Sequence, residues 1–164
     1  MPSSRRPAAI AAATFIATFA APAPGQEVTF RHPLDNKPVE IPLPEGDKRT
    51  EEVVHFHETG ENSYVGDAGA VAEGRQIYQE WCQACHMPDG SGRIGPSFLD
   101  DQYNRARTNT DVGKFEIIHE GGAGAMQSFA NRLTQDQMLR VIAYIHELRS
   151  KAGKIDGAVA GPPG

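Results

Sequence analysis

The sequence predicts a mainly α-helical domain organised around one five-residue stretch, and three observations carry that prediction. Apolar residues recur at three- and four-residue steps in two long windows, Val71 to Trp81 and Met138 to Leu148, with a shorter one around Phe115. Strand-like alternation is confined to short pieces such as Val28-Thr29-Phe30 and Val39-Glu40-Ile41, among Pro33, Pro38, Pro42 and Pro44. The two cysteines of the chain both fall in Cys82-Gln83-Ala84-Cys85-His86, at the end of the first helical window.

That stretch reads Cys-x-x-Cys-His, the attachment signature of a c-type haem. Two thiols at this spacing add to the two vinyl groups of one porphyrin. The histidine after the second thiol is then held against one face, where its imidazole binds the iron. A dithiol redox pair and half of a zinc site are the competing readings. Zinc needs further thiolates or spaced histidines, and no other cysteine exists. A thioredoxin-like pair needs a βαβ setting, which the flanks do not supply. The sequence therefore predicts one covalent haem c on Cys82 and Cys85, with His86 on the iron.

Taken in order, residues 1–25 read as a cleavable export signal. Arg5 and Arg6 form a basic start, residues 8–21 are alanine-rich and apolar, and Ala23 and Gly25 suit cleavage before Gln26. The run is too short to span a bilayer. A periplasmic location follows, which is also where bacterial haem attachment takes place. Removing the signal leaves 14 Lys and Arg against 21 Asp and Glu, a net charge of −7. Nucleic acid and acidic membrane surfaces are poor partners for such a chain. The remaining length suits one domain, read as a monomer, held by packing and haem rather than disulfides.

Residues 26–66 form an acidic, extended segment. It holds nine of the acids against Arg31, Lys37, Lys48 and Arg49. Residues 51–56 read as one more short strand or turn, which would set His55 and His57 on one side, where a metal could bridge them; a solvated pair is the blander reading.

The haem domain spans residues 67–150. Asp67 caps the first helix, with Val71, Gly74, Ile77, Tyr78 and Trp81 on one face. A glycine inside a helix costs about 1 kcal/mol relative to alanine, so Gly74 predicts a close approach by another helix. Residues 87–109 carry Pro88, Gly90, Gly92, Gly95 and Pro96 and read as a loop that walls the haem, with Ile94, Phe98 and Leu99 as apolar contacts. Thr110 or Asp111 then caps a helix with Phe115, Ile117 and Ile118 inward, ended by Gly121-Gly122. The last helix begins with a capping box, Thr134 and Gln137, and a staple, Leu133 and Met138. Met138, Val141, Ile142, Ile145 and Leu148 form its buried stripe, with Tyr144 beside it. Residues 151–164 read as a flexible tail.

A six-coordinate haem needs a second ligand opposite His86. Met87 adjoins His86 and lies on the wrong side, and Met138 is accounted for as the staple. Met126 sits on the glycine-rich loop of residues 121–129, which allows a thioether to cross the ring. His119 is the rival and would give bis-histidine ligation. Met126 is the assigned ligand, and its thioether favours ferrous iron and raises the potential.

Gly74-x-x-x-Tyr78, the Cys-x-x-Cys-His stretch, Ile94-Gly95-Pro96, Met126 and Tyr144 together resemble the class I cytochromes c. The resemblance implies that fold, with Gly74 and Tyr78 crossing the last helix near Tyr144. It also implies that the Pro96 carbonyl accepts from His86 Nδ1–H. Residues 58–64, 114–118 and 136–145 are similar to cytochrome c-L, the electron acceptor of quinoprotein (PQQ) methanol dehydrogenase. That resemblance implies an electron carrier rather than an enzyme, with an alcohol dehydrogenase as donor and a cytochrome or oxidase downstream. Some members bind calcium near the haem, so calcium is a second cofactor that the resemblance allows. A permanent haem subunit of a dehydrogenase, and a haem enzyme or gas sensor with an open sixth site, stand as the alternatives.

Overall fold

The computed structural model describes residues 27–102 and 105–153. The predicted export signal, and the predicted tail from residue 154, lie outside the described residues. Five α-helices form within them: α1 (Glu51–Thr59), α2 (Ala68–Trp81), α3 (Gln83–His86), α4 (Asp111–Glu120) and α5 (Gln135–Lys151), with 3-10 turns at Gly46–Lys48 and Ala106–Asn109. Among the described residues there is no strand, only one antiparallel bridge between Arg31 and Pro38. The mainly α class stands.

The spine is α5, which opens as its sequence requires. Thr134 accepts from Gln137 N while the Gln137 side chain accepts from Thr134 N, and Leu133 and Met138 are both buried. From there Leu139, Val141, Ile142, Ile145 and Leu148 run through the core. Asp67 caps α2, accepting from Ala70 N at 2.7 Å. The crossing of α2 on α5 explains Gly74: a Cβ there would stand 2.0 Å from the Arg140 carbonyl oxygen. One turn later Tyr78 meets Tyr144 edge to face, with ring centroids 5.2 Å apart. Thr110, not Asp111, caps α4 through Gly113 N, and Phe115 and Ile118 face inward while Ile117 is half-buried.

The segment ahead of α2 departs from expectation. Residues 51–59 are helical, not a strand. Thr50 accepts from Val53 N, Glu51 and Glu52 lie where the helix dipole favours acids, and Gly60 closes the helix in a left-handed conformation at φ 76°. Val53 and Phe56, three apart, supply the buried face. Two residues along a helix are turned about 200° from each other, so His55 and His57 do not share a side. His57 packs on Phe30 and Phe115 and pairs with Gln135 at 2.7 Å, while His55 faces Glu61. The bridged-metal reading therefore fails.

Residues 27–45 run without regular structure over α1 and α4. Phe30, Phe56 and Phe115 form one aromatic cluster. Glu116, 2% exposed, accepts from Arg31 N and takes both Arg107 donors at 2.7 Å, so α4 is tied to the N-terminal segment. Its burial leaves it no water, and three charge-assisted or backbone donors replace it.

Candidate functional site

The site is assembled where α2 gives way to the single turn α3. Cys82 N bonds back to Tyr78 O, then Cys85 N and His86 N both bond to Cys82 O, at 3.1 and 2.9 Å. This tight turn presents the two thiols at i and i+3, on one side. Neither forms a disulfide, and both are half-buried. Burial, with a smaller contribution from Cys85, pushes the Cys82 thiol up to about 12. The turn ends at Met87, whose φ of 65° is unusual for a residue with a side chain. The Tyr78 hydroxyl holds that position by donating to Met87 O at 2.7 Å.

His86 is buried and fixed on several sides. Its Nδ1–H donates to Pro96 O at 3.0 Å, which leaves Nε2 for a metal. Burial lowers its pKa against the opposing effect of that hydrogen bond, so the imidazole is held neutral, as a ligand must be. The following loop folds back on the turn through Gly95 N and Ile94 N to Cys85 O, both at 3.1 Å. A Cβ on Gly95 would lie 2.3 Å from His86 Cε1, so only glycine passes there. Phe98 stacks on the imidazole with centroids 4.4 Å apart and planes 18° apart. Phe98 and Leu99 pack on the protein core, whereas Ile94 is 63% exposed.

Met126 is half-buried against the edge of the same core as Cys82, Phe98 and Phe129. Its glycine-rich loop is tied down: Gly122 N bonds to Met126 O at 2.9 Å, Phe129 N to Ile118 O, and the Ser128 hydroxyl to His119 O. Gly121 adopts φ 88°, and a Cβ there would press on Ser128 N. His119 is engaged elsewhere, its Nδ1 2.7 Å from Glu120 Oε1 and its ring stacked on Phe115. Met138 is fully buried in the core.

The donor set fits a haem c. Two thiols share one side of a turn, a neutral imidazole is oriented through Nδ1, and a glycine makes room beside it. The structure brings Cys82, Cys85, His86 and Pro96 together. Sequence reasoning missed Phe98 as a partner of the imidazole, and it missed Arg149, which is buried in α5 and bonded to the loop that carries Phe98. The available signal was an arginine beside Leu148 on the apolar stripe. Among the described residues no group of three or more His, Cys, Asp or Glu is arranged to hold a metal.

Residues 69–145 match the family described as cytochrome c oxidase, cbb3-type, subunit III. The chain is similar to cytochrome c-L of Methylorubrum extorquens, with 33% identity over 126 residues, 76% of this chain. It spans 64% of that relative's length. Among solved structures, cytochrome cL of Methylophaga aminisulfidivorans is 30% identical with a TM-score of 0.69, over 74% of this chain and 81% of that one. Cytochrome cL of Hyphomicrobium denitrificans is 32% identical with a TM-score of 0.68, over 74% and 73%.

Proposed function

Because the chain belongs to the cytochrome c-L family and carries covalent haem c, we propose that it is a single-haem electron carrier of the periplasm, taking electrons from a quinoprotein (PQQ) methanol or alcohol dehydrogenase and passing them to a downstream cytochrome or oxidase. The observation that carries this reading is the imidazole of His86, neutral, buried and oriented by Pro96 O at 3.0 Å beside the paired thiols. The iron supplies the one-electron change. Cys82 and Cys85 would hold the ring through thioethers, and His86 Nε2 would bind the iron, its basicity raised by the Nδ1–H···O bond.

Met126 would supply the second ligand to the iron. Two observations support it over its rivals: His119 is held by Glu120 and Phe115, and Met138 fills the core. A thioether opposite an imidazole raises the potential, which suits acceptance of electrons from a reduced quinone cofactor. No helix of the described residues is long and apolar enough to cross a membrane.

Denaturing mass spectrometry of the exported protein should show one added haem. The ferric protein should show the methionine-to-iron absorption band, and Met126→Ala should abolish it. Retention of the band in Met126→Ala would give the position to another residue. Failure of a quinoprotein methanol dehydrogenase to reduce a spectroscopically intact protein would overturn the partner assignment while leaving the ligands standing.

A further inference from the structure

Arg149 lies in the last turn of α5, and its side chain is 7% exposed. A buried guanidinium carries a desolvation penalty of several kcal/mol unless its donors are met. Here Nη1 donates to Phe98 O at 2.8 Å and to Asp100 O at 2.9 Å, and Nη2 donates to the Asp101 carboxylate at 2.6 Å. These three acceptors fall within four consecutive residues, about fifty positions away in sequence. An apolar side chain would serve the packing of α5 at less cost, so the charge is explained by the stretch it holds.

That stretch is the one that borders the imidazole. It starts two residues after Pro96, whose carbonyl takes His86 Nδ1–H, and its first member is Phe98, stacked on the His86 ring. Phe98 is otherwise held by its N–H to Gly90 O at 2.8 Å and by the edge of Tyr78. Gly95 passes so near the ring that a Cβ there would stand 2.3 Å from His86 Cε1. Arg149 therefore connects α5 to the stretch that carries Phe98 and begins two residues after Pro96.

We propose that Arg149 is a positioning residue for the iron's proximal ligand, holding residues 98–101 so that the Phe98 ring and the Pro96 carbonyl fix the plane of His86 and its Nδ1 hydrogen bond. The inference rests on His86 being that ligand. The Nδ1 bond makes the imidazole more basic and favours ferric iron, so a loosened clamp raises the reduction potential.

The test uses the full-length holoprotein. Arg149→Met removes the clamp, Arg149→Lys keeps the charge but exchanges the planar fork for a point donor, and Phe98→Leu removes the ring with the clamp intact. Three quantities are measured: exchange of the His86 Nδ1 proton in the ferrous protein by NMR, the reduction potential, and Tm. In Arg149→Met the proton should exchange at least about tenfold faster, equivalent to about 1.4 kcal/mol of lost protection, and the potential should rise. Lysine should restore part of both. Phe98→Leu should move both in the same direction, and the double variant should shift them by less than the sum. A lower Tm with wild-type exchange and potential would make Arg149 a structural residue only and overturn the proposal, as would additive shifts. If Arg149→Met does not fold, Arg149→Lys and Phe98→Leu decide by the same two readouts. A wild-type His86 Nδ1 proton that carries no haem ring-current shift would instead overturn the ligand assignment beneath it.

Discussion

At the scale of the residue, a few atoms decide how the imidazole is held. Gly95→Ala would bring a methyl group to 2.3 Å from His86 Cε1, and the neighbour is a ring that cannot swing away. The variant should lose about 1–3 kcal/mol, as overpacked sites do, and its ferric spectrum should change. Denaturant titration and absorption together check this, and an unaltered spectrum would mean that the loop yields instead of the ligand. Met138→Ala is the counterpart. It empties a fully buried site at the head of α5, so stability should fall by about 2–5 kcal/mol while the methionine-to-iron band survives. Both residues were legible from sequence for local reasons: Gly95 precedes a proline beside the attachment stretch, and Met138 stands at staple distance from Leu133. Arg149 was not legible, because the meaning of a charge on an apolar stripe depends on acceptors about fifty residues away.

Among the elements, α1 is joined to α5 by the His57–Gln135 pair and, at its N-terminal cap, by one carboxylate. Asp136 accepts from Thr50 Oγ1, from the Tyr64 hydroxyl at 2.5 Å and from Arg140 Nε at 2.7 Å. Arg140 also lies over the Tyr64 ring. Burial alone would raise the Asp136 pKa, but these donors outweigh it and hold the carboxyl below 3.8. A carboxylate depressed in the folded state stabilises above its unfolded pKa and loses that contribution as pH falls through the folded value. The window therefore lies below about pH 4. Asp136→Asn should be less stable at neutral pH and should show a shallower fall in unfolding free energy on acidification, measured by denaturant titration across that range. An unchanged slope would remove Asp136 from the account. The helix α1 itself escaped the sequence reading because only Val53 and Phe56 mark its buried face and proline-rich chain precedes it. The longer stripes of α2 and α5, with caps at both Asp67 and Thr134, left no such ambiguity.

For the whole molecule, the attachment turn and the methionine loop differ in charge from α1. Ala84, Gly124, Ala125 and Gln127 are exposed and Gln83 and Met87 half-buried, all uncharged, although Arg132 reaches Gln127 at 3.1 Å. On and beside α1, the acids Glu51, Glu58 and Glu61 are exposed and Glu52 is half-buried. If the acids steer a basic surface of the dehydrogenase, exchanging all four for glutamine should lower the reduction rate by about tenfold or more and flatten its dependence on ionic strength. Stopped-flow reduction across a salt series measures both, and unchanged kinetics with an intact spectrum would leave the acids a role in solubility alone. The pairing of α2 with α5 has a further consequence, which concerns biogenesis. Gly74 and Tyr78 meet Arg140 and Tyr144 of α5, so the core cannot close until the last helix has been made. Until then Cys82 and Cys85 are open to haem attachment, and once α5 is in place both are half-buried, with the Cys82 thiol's pKa raised by that burial. The order of synthesis thus gives the attachment machinery an interval in which to act, and the last helix ends it.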